Sequence, residues 1–452
     1  MQPPAANRAT TSSLAGSLLV LRSNSFRKYL LAAIATTTGL WLFETGLFWS
    51  ALVSTGSAAS VGLVLGALVV PFLVILVPAG VLADRWGPKR LLLTSQIAWV
   101  LILSAGALIA QLGLLSLAVV IALALAEGIF DAVWAIPAQM MYARVVDRRV
   151  MANSIILSGL QVAIGRLFGG LLAGALLALA GPPTTFVVGA VSIAIGAGLV
   201  ISLREELPGD EDRRHAPGRL GIAEAIGFLR LTRSAVFLIG LGACTALFAF
   251  GYPSILPVIS RDVIHAGPGG LGLMTAGGGV GVLITVAFAD MLGRRIGRGA
   301  TLGVSLVVAA ASIAALATTS SLLLAITAAA VLAAALNLYF STNNLLLQAM
   351  APPRLRGRVL SLYGFVFWTI LPFGSFAVGY LADRVGVRNV LFLMAGLTLS
   401  SVGALTIANR SLVGLDVNEV GAIAVRRIPF QRRELPPVPE PPRALDSPGH
   451  ST

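Results

Sequence analysis

The sequence predicts an all-α membrane protein of twelve transmembrane helices, arranged as two pseudo-symmetric six-helix bundles. Composition, the length of the apolar runs and an internal repeat carry that prediction. The chain is 57% hydrophobic and 11% charged, against roughly half and a quarter for soluble domains. A soluble chain of 452 residues would need far more polar surface to cover itself. An apolar run of about 20 residues crosses the hydrocarbon as a helix rising about 1.5 Å per residue. Twelve such runs occur, at 29–53, 61–82, 91–111, 115–137, 153–178, 183–203, 235–259, 269–289, 300–317, 322–347, 358–382 and 387–408. Every backbone amide in lipid needs an internal partner, so these runs are helices rather than open strands.

Span one is too long for the apolar core of a cleaved signal, lacks a small-residue cleavage site, and leads straight into span two. Pro71, Pro78, Pro253, Pro257 and Pro372 interrupt later spans. Packing partners and cavity water satisfy the backbone groups that such breaks release. Cys244, the only cysteine, lies in span seven. It excludes an intrachain disulfide and reads as a small packed apolar residue.

Basic residues set the expected orientation. With residue 1 cytoplasmic, 28 of the 32 Lys and Arg fall inside; Arg261, Arg384 and Arg388 fall outside, and Arg166 lies within a span. The positive-inside rule favours this orientation and disfavours its reverse, placing both termini in the cytoplasm. The net charge of +13 then reflects topology and contact with anionic lipid heads. Arg residues dispersed over loops argue against a nucleic-acid partner.

The repeat divides the chain. Asp84 with Gly87-Pro-Lys89-Arg90 follows span two, and Asp290 with Gly293-Arg294-Arg295 follows span eight. Arg148-Arg149-Val150 ends span four, Arg356-Gly357-Arg358-Val359 ends span ten, and Gly165 in span five has a counterpart near Gly374. Two bundles, 29–203 and 235–408, are expected between a cytoplasmic tail (1–28), a linker (204–234) and a second cytoplasmic tail (409–452). The linker combines the charged stretch Glu205, Glu206, Asp210, Glu211, Asp212, Arg213, Arg214 with an amphipathic segment from Leu220 to Leu231. That segment reads as a helix on the inner membrane surface or as plain linker. The second tail carries Arg426, Arg427, Arg432 and Arg433 and a Pro-rich run, Pro436–Pro442, a composition that cannot bury a core.

The richest motif is Gly80-Val-Leu-Ala-Asp84-Arg85-Trp-Gly87-Pro-Lys89-Arg90, a charged hairpin between spans two and three. Its spacing and position resemble the corresponding loop of the major facilitator superfamily of secondary transporters. Leu21-Arg22-Ser-Asn-Ser-Phe26-Arg27, Pro137-Ala138, Leu256-Pro257-Val-Ile-Ser-Arg261-Asp262-Val263 and Arg356-Gly357-Arg358 are similar to one branch of that superfamily. That branch holds macrolide-type drug exporters and enterobactin-type siderophore exporters, generally proton-driven. The resemblance implies that Asp84 sits at the N-terminal end of span eleven, where the helix dipole favours an anion, and latches the halves on the cytoplasmic side. Arg85 would pair with Asp147. The alternative is that these charges only orient the hairpin. Gly379-Tyr-Leu-Ala-Asp383-Arg384-Val-Gly386-Val-Arg388 copies the motif, but helix count puts it outside, so no gating role is expected for it.

Charges within spans point to the mechanism, because an ionisable side chain there is costly unless it lines water or is paired. Four occur: Glu44 in span one, Glu127 and Asp131 in span four, and Arg166 in span five. Glu127 and Asp131 are i,i+4 and share a helix face. Helical rise puts Glu44, Glu127 and Arg166 at depths of roughly 20–23 Å and Asp131 at roughly 14 Å. The excess negative charge suits a proton site or a cationic substrate. A static Glu127–Arg166 pair is the structural alternative. Gly165-Arg166-Leu-Phe-Gly169-Gly170 matches the antiporter signature G-P-x-x-G-G with Arg where Pro is expected, and its glycines allow close helix packing.

Asn337, Asn343 and Asn344 in span ten, with Tyr339 and Trp368, offer a polar-aromatic wall for an amphiphile, or interhelical bonding. His215, His265 and His450 lack metal-ligand companions, and no Gly-Lys-Ser/Thr phosphate loop occurs, so neither metal nor cofactor is expected. The resulting expectation is a plasma-membrane exporter of small amphiphilic drugs or metabolites, a monomer, exchanging substrate for protons. Siderophore or lysophospholipid export is the sibling reading. A non-transporting sensor or scaffold is the alternative from another class, against which the central acids argue.

Overall fold

A computed structural model describes residues 23–145, 151–203, 221–353 and 355–408. Asp147, the Arg148–Val150 repeat, Arg354, the charged linker stretch and both tails lie outside the described residues. Spans one to four are α1 (Asn24–Thr55), α2 (Ala58–Trp86), α3 (Pro88–Gln111) and α4 (Leu117–Val145). Helix Met151–Ile201 is continuous except at Gly181, whose φ of 76° and ψ of −174° break it before Pro182 and Pro183. A left-handed φ is open to glycine at little cost. The break yields α5 (151–180) and α6 (182–201), and both arms return along α1. A Cβ on Gly165 would lie 2.6 Å from Thr37, and one on Gly39 would lie 2.6 Å from the Gly189 carbonyl.

After the short surface helix α7 (Gly221–Leu231) come α8 (Arg233–Phe248), α9 (Gly267–Ile296), α10 (Arg298–Thr318), α11 (Leu322–Met350), α12 (Arg356–Val385) and α13 (Val387–Ala408). Eleven helices among the described residues are long and apolar enough to cross a membrane, Gly159–Ile201 counted as one. With its break, the fold is twelve spans in two six-helix bundles. The helices overrun the predicted apolar runs by up to about two turns, since a helix continues beyond the hydrocarbon while its backbone bonds are satisfied.

Span seven departs from the prediction. Instead of a helix through 259, α8 ends at Phe248, and a 3₁₀ turn (Tyr252–Ser254), a helical turn (Leu256–Val258) and a π-type turn (Ile259–Val263) follow. Pro253 and Pro257 each lack an amide donor and clash with the preceding turn, which forces the break. Cys244 is exposed on α8 rather than packed.

Three helix junctions share one backbone. Gly87, Gly297 and Gly386 adopt φ of 82–88° with ψ of 143–151°. They join spans two to three, eight to nine and eleven to twelve, and Gly181 serves the fourth such junction with a different ψ. The chain therefore repeats in units of three helices.

The halves meet along two seams. Helix α5 packs on α9, where a Cβ on Gly174 would stand 2.8 Å from Gly272. Helix α2 packs on α12 from Gly379, 2.4 Å by the same measure from the Ala58 carbonyl, to Phe72, whose ring stacks 5.7 Å from Trp368. Past that stack the seam ends. Val74, Val81 and Trp86 on α2 and Phe365 on α12 are all exposed. We call the side bearing Gly87 and Gly297 the basic face and the side bearing Gly56 and Gly386 the far face.

Candidate functional site

The four intramembrane charges converge. Glu44 interacts electrostatically with Asp131 and Arg166, and Glu127 with Glu44 and Asp131. Glu127 is 2% exposed and Arg166 7%, while Glu44 and Asp131 are half-buried. Asp131 belongs to the cluster despite its shallower depth, because its i,i+4 relation to Glu127 keeps both on one face of α4. The Trp99 indole donates to the Glu127 backbone carbonyl at 3.3 Å, tying α3 to α4 beside the acids. Next to it, the buried Gln96 amide donates to Thr36 Oγ1 at 2.8 Å. Glu127 Oε2 and Gln96 Oε1 are buried acceptors with no donor among the described residues, and leaving such a polar group unpaired is costly.

Arg166 does not pair with Glu127. Its Nη2 donates to Tyr252 Oη at 2.6 Å and its Nε to the Thr275 carbonyl at 3.3 Å. Its guanidinium lies 4.7 Å from the centre of the Trp41 ring and 5.6 Å from that of Tyr252. A planar cation between aromatic faces suits Arg and not Lys. Arg166 therefore ties α5 in the first half to α9 and the broken segment in the second. Room for it comes from Gly277-Gly278-Gly279, since a Cβ on Gly278 would sit 2.5 Å from Nη2. Neither Tyr252 nor that glycine run was identified from sequence. A triple glycine inside a span is the signal that was available, because it marks a close approach.

Around Arg166 the antiporter-like glycines are in tight contact. A Cβ on Gly169 would lie 2.5 Å from Trp41, and one on Gly170 would lie 2.7 Å from the Ala276 amide. These contacts hold Trp41, and with it Glu44 one turn later, against α5.

The second half contributes aromatic rings rather than charges. Phe250, Phe340, Tyr363, Phe367 and Trp368 form a chain of ring contacts at 4.9–6.1 Å. Asn337 is half-buried and makes no hydrogen bond to the acids among the described residues. Asn343 is buried and donates to the Leu238 carbonyl of α8 at 3.3 Å, a bond between helices, whereas Asn344 donates to the Phe340 carbonyl at 2.9 Å within its own helix.

In the basic-face hairpin, Gly80 packs near Ile136 of α4, and Gly87 makes the turn. Lys89 donates to the Leu203 carbonyl at 2.6 Å and to Ile201 at 3.3 Å, capping the C-terminal end of α6. Arg85 and Arg90 are exposed. Asp84 is exposed and has no hydrogen bond or ion pair among the described residues, so the contact with the start of α12 that the resemblance implies is not made in this structure. The related Asp290 is engaged, with Arg294 at 2.8 Å and Arg298 at 2.6 Å.

Residues 15–426 match the family described as transmembrane secretion effector. A relative, the staphyloferrin A transporter of Staphylococcus aureus (strain NCTC 8325 / PS 47), is 25% identical over 229 residues, 50% of this chain and 56% of that one. The alignment thus spans little more than half the relative's length. Among solved structures, the nucleoside transporter NupG superposes with a TM-score of 0.68 at 14% identity, covering 85% of this chain and 98% of that one. A bacterial homologue of the human lysosomal transporter Spinster, inward-facing and unoccupied, gives 0.62 at 17% identity, covering 92% and 98%. These structural likenesses concern the fold alone. The family match covers nearly the whole chain, so the protein, with its twelve spans and a multi-pass membrane fold of the major facilitator type, belongs to the transmembrane secretion effector family.

Proposed function

We propose that the protein exports small amphiphilic molecules across the plasma membrane by alternating access, in exchange for protons, with its basic face in the cytoplasm. One observation carries the reading: three carboxylates from α1 and α4 cluster within the spans, and one of them, Glu44, interacts with an Arg that is bonded to the opposite half. Carboxylates at this depth are retained for binding or coupling. An acid cluster loads a proton or a cationic group. The Arg–Tyr252 contact lets the charge state of the cluster act on the seam between halves, and the aromatic chain in the second half supplies an apolar wall. Siderophore export is the second reading, favoured by the similarity to the staphyloferrin A transporter.

The test is efflux of a panel of amphiphiles, and separately of a carboxylate siderophore, from an exporter-deficient host, repeated in proteoliposomes with an imposed pH gradient. Amphiphile efflux that collapses with the gradient is the expected result. Efflux of the siderophore alone would favour the second reading, and transport indifferent to the gradient would remove proton exchange.

A second expectation concerns the hairpin. Asp84→Asn removes the anion that would dock at the start of α12 when the basic face closes. The closed state should lose about 2- to 5-fold in population, the scale of an exposed charge at a helix N-terminus. Turnover should slow while substrate affinity, measured by equilibrium binding, stays within about twofold, because the loop does not line the acid cluster. Unchanged turnover would leave the motif only the task of orienting the hairpin.

A further inference from the structure

The far face holds a second copy of the hairpin motif, and there its acid is engaged. Gly379-x-x-x-Asp383-Arg384-x-Gly386 repeats the spacing of Gly80-x-x-x-Asp84-Arg85-x-Gly87, with the same left-handed glycine at the turn. Asp383 Oδ1 accepts from the Ala58 amide at 2.7 Å, and Oδ2 accepts from the Ala59 amide at 3.1 Å and from Ser57 Oγ at 2.5 Å. Ser57, in the N-cap position of α2, makes no side-chain cap of its own. The cap of α2 comes from the other half of the molecule.

The other side of the same hairpin is held as well. Arg261, on the π-type turn, donates to the Leu52 carbonyl from Nη1 and to the Gly56 carbonyl from Nη2, both at 3.2 Å. Asp262 fixes the guanidinium by a pair at 2.6 Å. The second half thus offers a cation to the C-terminal end of α1 and an anion to the N-terminal end of α2. Each charge opposes the dipole of the helix end it meets and fills backbone groups that the helix leaves open. The intervening segment, Ser54-Thr55-Gly56-Ser57-Ala58-Ala59, carries no charge of its own.

We infer that Asp383 and Arg261 form a far-face lock: a two-charge clamp on the α1–α2 hairpin that holds the far face shut and must release before it opens. The geometry mirrors the latch expected of Asp84. There, the end of α2 would meet the start of α12; here, the end of α12 meets the start of α2. One lock is made and its counterpart is free in this state, as two alternating locks require. The inference rests on the alternating-access reading, and it gives a role to a stretch whose position outside the cytoplasmic loops had seemed to exclude one.

The test uses the full chain in lipid nanodiscs, with Cys244→Ser and spin labels at Leu114→Cys and Ser321→Cys on the far face. A separate protein carries labels at Ser202→Cys and Arg295→Cys on the basic face. Interspin distances report the population of each opening. Asp383→Asn and Arg261→Gln are each expected to raise the far-face-open to closed ratio about 3- to 30-fold, the range of a lost helix cap or charge-assisted bond. The basic-face distance should shorten in the same proteins. Ser57→Ala, which leaves both backbone bonds, should shift the ratio in the same direction by less. Arg384→Gln, whose side chain lies over the Tyr380 ring, should leave it unchanged. Gly379→Leu serves as a wedge, since even a Cβ there would meet the Ala58 carbonyl at 2.4 Å. If the wedge opens the far face while Asp383→Asn and Arg261→Gln leave the distances as in wild type, the lock is refuted and alternating access stands. If no variant, wedge included, changes either distance, alternating access fails as well.

Discussion

Transport driven by a pH gradient is expected to be abolished in Glu127→Gln and in Glu44→Gln, with protein yield unchanged. Glutamine keeps the shape of the side chain and removes its exchangeable proton. Glu127 is the more decisive position. Its Oε2 is buried with no donor, and its neighbours Glu44 and Asp131 are also acids. Burial among other acids makes an ionised carboxylate costly there, so a change of its protonation is expected to change the free energy of the state around it. The Gln variant is locked in the neutral form. Gradient-driven efflux should stop, whereas exchange of labelled for unlabelled substrate, which needs no net proton movement, should persist. Asp131→Asn is expected to weaken coupling less than Glu127→Gln, because Asp131 is the less deeply buried of the two acids on α4. Normal gradient-driven transport by both Glu127→Gln and Glu44→Gln would take the cluster out of the coupling mechanism.

Much of this architecture is readable from the chain because lipid imposes so few solutions. Runs such as 91–111 and 300–317 have no option but a helix, and the helices found there, Pro88–Gln111 and Arg298–Thr318, overrun them by only a few residues. The acid cluster is readable for the same reason: four charges in hydrocarbon are conspicuous, and the i,i+4 spacing of Glu127 and Asp131 gives their common face. In span seven the two signals part: Pro253 and Pro257 mark an interruption, but hydropathy runs on through them to 259, while the helix itself ends at Phe248. The partner of Arg166 was not readable at all. Glu127 is the obvious acid by depth, but depth says nothing about azimuth, and the guanidinium turns across the seam to Tyr252. The locks expose a deeper limit. Asp84 and Asp383 carry equivalent motifs, yet Asp383 is bonded to the start of α2 while Asp84 has no hydrogen bond or ion pair among the described residues. The spacing of a motif does not record whether its acid has a partner.

Arg166→Gln is expected to lower stability and uncouple transport together, through Tyr252 rather than Glu127. Removing the guanidinium strips Tyr252 Oη and the Thr275 carbonyl of their donor and leaves Glu44 without its positive neighbour. Arg166→Lys should rescue neither property, since an ammonium cannot reach both acceptors while lying flat on Trp41. A double-mutant cycle on thermal stability in detergent assigns the partner. Arg166→Gln with Tyr252→Phe should show a coupling of about 1.5–3 kcal/mol, the value of a hydrogen bond to a charged group. Arg166→Gln with Glu127→Gln should be additive within about 0.5 kcal/mol, as for residues that share no direct contact. Replacing both Arg166 and Glu127 by Leu should therefore not restore the fold, whereas it would if they formed a static pair. Strong coupling to Glu127 and none to Tyr252 would return Arg166 to the role of a brace between α4 and α5. The expected pattern instead makes it the residue through which protons on the first half are felt by the second.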